Sequence, residues 1–335
     1  MIGKVLLSHG SGGRQTNGLI SEIFIKHFNN SVLSQMNDAA QLTLEGNRVA
    51  FTTDSFVVNP IFFNGGNIGK LAVCGTVNDL AVSGARPLYL SSAFIIEEGF
   101  ELEKLEEIVK SMALEAEKAG MKIVAGDTKV VERGSVDGIY INTTGIGVIY
   151  EEIYISASNA KPGDVVIVNG TLADHGITIM CKRHNLGIEG DISSDCASLN
   201  SLIYEVLNVC KDIHVMRDAT RGGVAAVLNE IAEASKVSII LKEESILVKE
   251  EIRGVCEMLG LDPLYVANEG KVCIFVPEEH AEEVLSVMKK HPLGQDAYII
   301  GRVTDDIKNR VFVETMIGSK RILDMPSGEQ LPRIC

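Results

Sequence analysis

Along this chain the apolar residues switch between a helical period of about 3.6 and a strand period of about 2, without the strict strand–helix repetition of a doubly wound parallel sheet. That irregular alternation points to α+β layers. Val49 to Val58 (VAFTTDSFVV) reads as a strand, rich in β-branched and aromatic residues. Ile68 to Ser83 carries Ile68, Leu71, Ala72, Val77, Leu80 and Ala81 at helical spacing and stops at Gly84, with Pro87 beyond. Glu101 to Ala119 is the clearest helix: Leu102, Leu105, Ile108, Val109, Met112 and Ala116 form its stripe, and Gly120 ends it. Strands are expected at Met121–Ala125 and Ile139–Tyr150. The turn Lys161-Pro162-Gly163-Asp164 precedes a buried-looking strand at Val165–Asn169 and sets a domain boundary near 150–162. The second half repeats the mixture. Helices are expected near Asp195–Val209, Gly223–Ser235 and Glu279–Lys290, and strands near Val237–Leu241, Val272–Val276 and Ala297–Val303.

A length of 335 residues suits two domains, and a formal net charge of −14 argues against nucleic acid or an anionic membrane as the main partner. No apolar run approaches the length that spans a bilayer, and the apolar segment at the N-terminus is too short for a signal peptide. A cytoplasmic protein is the expectation. The seven cysteines are odd in number and widely spaced, and none form a CxxC pair, which argues against a disulfide framework or a zinc site. Cys74 and Cys273 sit in apolar runs and read as small core residues. Cys335 differs. It closes the segment Asp324–Cys335, which has two prolines, a glycine and no apolar period, so a mobile tail is expected. Chance alone would end about one such chain in fifty on a cysteine, so an accidental surface thiol also fits. The sharper reading is a swinging arm that carries a covalently bound group between sites.

Four acidic residues share a setting. Asp54, Asp79, Asp127 and Asp218 each lie at an element end beside small or hydroxyl residues, in TDS, ND, GDT and RDAT. Such carboxylates can converge on Mg²⁺ and leave room for phosphates, although each one singly also fits a cap or turn. Asp79 falls inside an apolar helical pattern, where an unpaired carboxylate is costly, and so calls for a cation. Three glycine-rich segments could wrap phosphates with backbone N–H groups: HGSGGR with Gly12 and Gly13, NGGNIGK, and TRGG with Arg221, Gly222 and Gly223. The second fails as a P-loop, because Asn64 stands where the first glycine is required and Leu71 follows Lys70. Glu269 precedes a buried strand, and Lys129 follows Asp127-Thr128. Together they could act as base and charge stabiliser, or form an ordinary surface ion pair.

These motifs together resemble the HypE family of hydrogenase-maturation proteins within the PurM-like ATP-binding superfamily. The resemblance runs from HGSGGR through FTTDSF, GGNIGKLAVCGTVNDLAVSGARP, AGDTKVVERG, DHG, RDATRGG and NEGK to the terminal PRIC, and so covers essentially the whole chain. It implies a PurM-like two-domain α+β fold. An N-terminal domain at 1–155 would bind ATP and pair with its twin into a dimeric β-barrel. A C-terminal α/β sandwich domain would follow at 156–323, and a flexible tail at 324–335. It also implies an activity: a carbamoyl group, delivered to Cys335 by a HypF carbamoyltransferase, is dehydrated with ATP to a thiocyanate. The cyano group would pass to iron held by a HypC–HypD complex, on its way to a [NiFe] hydrogenase. On this resemblance Asp54, Asp79 and Asp218 hold Mg²⁺. Asn78, Asp127, Thr128, Arg221 and the glycines bind the nucleotide, and Glu269 and Lys129 assist at Cys335. Two rival readings keep part of the pattern: a small-molecule ATP-dependent synthetase or kinase, and a scaffold that docks by its tail.

Overall fold

The computed structural model describes residues 3–9, 18–32, 44, 48–187, 192–307, 309–326 and 331–335. In the first half, β1 (Val49–Phe56) is followed by helix α1 (Ile68–Val82), β2 (Ala85–Glu97), helix α2 (Leu102–Lys118), β3 (Lys122–Val131) and β4 (Ile139–Ile149). The strands form one sheet in the order β1-β4-β2-β3, antiparallel except for the β2–β3 pair, which the α2 crossover makes parallel. Its residues alternate: Thr52, Asp54 and Phe56 turn inward, while Phe51, 70% exposed, faces out. Asn67 caps α1, its side chain accepting from the backbone N–H groups of Gly69 and Lys70. Nearly every residue of α1 is buried, because it packs on the sheet, on α2 and on the second half of the chain. A side chain at Gly69 would strike the Ile108 carbonyl, and one at Gly75 the Phe56 ring, so small residues set how closely this helix is enclosed.

The second half contains β5 (Asp164–Val168), α3 (Asp174–His184), α4 (Asn200–Val209), β6 (Val215–Asp218), α5 (Gly223–Ser235), β7 (Ser238–Lys242), α6 (Glu250–Leu259), β8 (Val272–Pro277), α7 (Glu278–Lys290), β9 (Tyr298–Thr304), β10 (Arg310–Glu314) and β11 (Lys320–Ile322). Its sheet runs β11-β10-β7-β9-β5-β8-β6. Helix α5 contributes to the core on one face, and α4 and α7 to the core on the other, so the central strands are buried on both sides. This is the expected sandwich.

Among the described residues the first-half sheet is open within one chain, so a barrel shared with a second copy stays an expectation. Three expectations are corrected. The strand read as Met121–Ala125 runs on to Val131 because it pairs with β2 through Glu97, so Gly126-Asp127-Thr128-Lys129 is strand and not turn. The helix read from Asp195 begins at Asn200, since 192–199 cross between the halves without helical structure and the Asp195 side chain is used elsewhere. Finally, the end of the tail is docked: Ile334 is 3% exposed in the first-half core and Cys335 packs against it.

Candidate active site

The last turn of α1 projects Asp79 into a cleft of ≈ 720 Å³, where Asp54 from β1 and Asp218 from the end of β6 meet it. Asp79 is half-buried and accepts from Thr52 Oγ1 at 2.6 Å, so it is neither sealed in the core nor unpaired. Burial and the neighbouring Asp79 push Asp54 up to about 6. The same two causes push Asp218 up to about 7. Arg221 stands at the mouth of this acidic group and opposes the rise at Asp54. Among the described residues, no three ligating side chains are grouped tightly enough to hold a metal unaided. Asp79 nonetheless raises the proton affinity of Asp54 and Asp218, a like-charge crowding that a hard cation shared with phosphate oxygens would relieve.

Glu269 sits deeper, 2% exposed, and its Oε1 has no hydrogen-bond partner among the described residues. Burial first, then the charges of Asp195, Asp218 and Asp54, raise its carboxyl well above the usual range. Its backbone is fixed from two sides. Asp195 accepts from the N–H groups of Glu269 and Gly270, each at 3.1 Å, and pairs with Lys271 at 3.0 Å. The Asn78 amide donates to the carbonyls of Ala197 (3.1 Å) and Glu269 (3.3 Å) and accepts from Leu199 N–H at 2.8 Å. Asn78 is therefore spent on joining α1 to the second half, not on facing the cleft. The Cys335 thiol lies in the same neighbourhood. Burial raises its pKa, as do the charges of Glu269, Asp54 and Asp218, and Arg221 opposes them.

The other expected residues divide. Gly222 and Gly223 open α5 with left-handed φ values of 75° and 62°; no side chain caps the helix, and the Gly223 N–H donates to the Thr220 carbonyl at 3.0 Å. Asp127 is in register with Ala93, Asn142 and Ser55 on the outer face of the first sheet, opposite Asp54. Lys129 shares that outer face and lies 3.5 Å from Asp127, each more than 60% exposed (64% and 63%). Thr128 is half-buried in the inner row with Phe94, Ile141 and Phe56. Among the described residues the ion partner of Lys129 is Asp127, and no ion pair joins it to Glu269, the partner that the sequence suggests. Gly12 and Gly13 lie outside the described residues.

Residues 36–149 match the family described as AIR synthase related protein, N-terminal domain, and 161–314 match the C-terminal domain of the same family. The Escherichia coli (strain K12) protein named carbamoyl dehydratase HypE is 50% identical over 336 residues, covering 99% of this chain and 99% of that one. The chain belongs to the HypE family. Membership makes it an enzyme of PurM-like two-domain α+β fold. Among solved structures, that of a HypE protein in complex with ATP superposes with a TM-score of 0.96 at 48% identity, covering 98% of this chain and 99% of that chain. A HypE–HypF complex aligns with a TM-score of 0.81 at 52% identity, over 92% and 99% of the two chains. Set against this family fold, the residues missed from sequence are those that position others. Thr52 and Asp195 lie in TTD and SSD, where they read as strand and cap, and nothing local announces that their partners are distant.

Proposed function

We propose that this chain is a carbamoyl dehydratase that uses ATP to convert an S-carbamoyl group on its own Cys335 into a thiocyanate. The observation that carries this reading is that the buried terminal thiol feels the charges of Glu269, whose Oε1 is unpartnered among the described residues, and of Asp54 and Asp218 in the acidic cleft. A thiocarbamate oxygen is a poor leaving group. Transfer of the γ-phosphoryl group to it makes phosphate the leaving group; breaking that C–O bond and removing both N–H protons leaves S–C≡N, ADP and phosphate. Each part of the site has work in this sequence. The N-terminus of α5, which no side chain caps, would with Arg221 beside it cradle phosphate oxygens. Asp54, Asp79 and Asp218 would hold Mg²⁺, which offsets phosphate charge when bound. Glu269 offers a buried oxygen, lacking a donor, to the carbamoyl N–H groups; its raised pKa makes it a strong base once deprotonated.

Partners follow from the same chemistry. A carbamoyl donor of the HypF kind would load Cys335, in line with the solved HypE–HypF complex. An iron-carrying HypC–HypD complex would accept the cyano group for a [NiFe] hydrogenase. A second copy would lay its open sheet on this one. Asp127, Thr128 and Lys129, on or beside that open sheet, would then act from across the interface, Lys129 as the electrostatic partner of a Glu269 site. The seven cysteines are free, which suits a reducing cytoplasm, and among the described residues no helix is long and apolar enough to cross a membrane.

The test is intact mass after incubation with the carbamoyltransferase, carbamoyl phosphate and Mg-ATP. A carbamoyl adduct that then loses one water, absent in Cys335→Ala, is expected; ATP turnover with no adduct on the terminal peptide would point instead to a diffusible substrate. Cys335→Ala should keep nucleotide binding.

A further inference from the structure

The end of the chain is gripped mainly through its carbonyl groups, by side chains that the chemistry above does not use. Arg183, in the last turn of α3, spreads one guanidinium over three carbonyls: those of Asn59, Pro332 and Arg333, each at 2.8 Å. His175, at the start of the same helix and fully buried, meets the Ile334 carbonyl through Nε2 at 2.8 Å and Ser194 Oγ through Nδ1 at 2.8 Å. A carbonyl can only accept, so Nε2 carries the proton and Nδ1 accepts from Ser194. The continuation of β1 supplies the other jaw. Val57 N–H donates to the Cys335 carbonyl at 3.1 Å and Asn59 N–H to that of Arg333 at 3.2 Å. Arg333 returns a bond to the Val57 carbonyl at 2.9 Å and pairs with Asp137. The chain end, turned at Pro332–Arg333 with Arg333 at a left-handed φ of 51°, is thus held against the first half and clasped by a helix of the second.

We propose that Arg183 is a positioning residue for Cys335. It reads the main chain of Pro332 and Arg333 and ties it to Asn59, so the terminal thiol reaches the Glu269 junction only when the two halves and the chain end are clasped together. The planar guanidinium suits three acceptors at once; a lysine at this position could serve one. Its effect on turnover rests on the function proposed above, whereas the clasp itself does not.

The test is the rate at which iodoacetamide alkylates Cys335 in the full-length protein, read from the mass of the terminal peptide with no carbamoyl donor present. Arg183→Gln should raise that rate at least about tenfold, with Arg183→Lys intermediate, because a charge-assisted fork no longer opposes local release. In turnover, KM for ATP should stay within about twofold while kcat for loss of water falls about tenfold, a split that general unfolding does not produce. Should Arg183→Gln fail to fold, Arg183→Lys decides alone. An alkylation rate within about twofold of the parent in every folded variant overturns the proposal. A faster rate in a protein that never forms a carbamoyl adduct supports the clasp and overturns the dehydratase reading.

Discussion

Asp218 keeps its proton to about pH 7 because burial and Asp79 both disfavour its charged form. A raised carboxyl pKa means that the folded chain binds more protons than the unfolded one between about pH 4 and 7, so this group's contribution to stability is lost as pH rises through that window. Asp218→Asn should therefore raise the Tm of the nucleotide-free protein by about 2–4 °C at pH 8, with the gain vanishing by about pH 4. The same change should weaken Mg-nucleotide binding, and thermal melts with and without Mg-ATP read both effects. The sequence made the acidic trio visible, since Asp54, Asp79 and Asp218 all stand beside small or hydroxyl neighbours at element ends. It hid the function of Asn78, whose three partners lie more than a hundred residues away. Long-range hydrogen bonds leave no periodic trace.

Long periodic elements were legible and irregular ones were not, and the short amphipathic helix α6 was missed as well. Helix α2, striped on one face, was read to within one residue at each end, and α5 matched at both. The long strand β2 was missed: Pro87 lies inside it, and its irregular pairing near Tyr89 breaks simple alternation. Helix α3 was missed because its first turns are buried all round and carry no polar face to set a period. It opens after Ala173 in a left-handed conformation, a start that no capping residue signals. At the start of α5, a methyl group on Gly223 would lie 2.5 Å from the Leu264 carbonyl and 2.6 Å from that of Val266, at a φ of +62°. Gly223→Ala should cost about 1–3 kcal/mol in denaturant unfolding and displace the helix N-terminus from phosphate. Full stability with normal nucleotide affinity would show that this tight start is dispensable.

At the scale of the molecule, resemblance conveyed the two-lobed plan, but the junction between lobes emerged only in three dimensions. The outer face of the first sheet remains open, with Phe51 70% exposed and Val49 and Ile95 beside it in character at 47% and 43%. If a second copy covers that face, Phe51→Asp should convert a dimer to a monomer in light scattering at micromolar concentration, with the fold retained; an unchanged mass would remove the interface from this sheet. Helix α1 has its own consequence. Enclosed by the sheet, by α2 and by the second lobe, it is the stretch whose amide protons should exchange with solvent last, and only through global opening. Asp79 rides on that stretch. On the function proposed, the phosphate end of the site would be anchored to the part of the molecule least able to breathe, and the timing of each cycle would fall to the arrival and departure of the chain end.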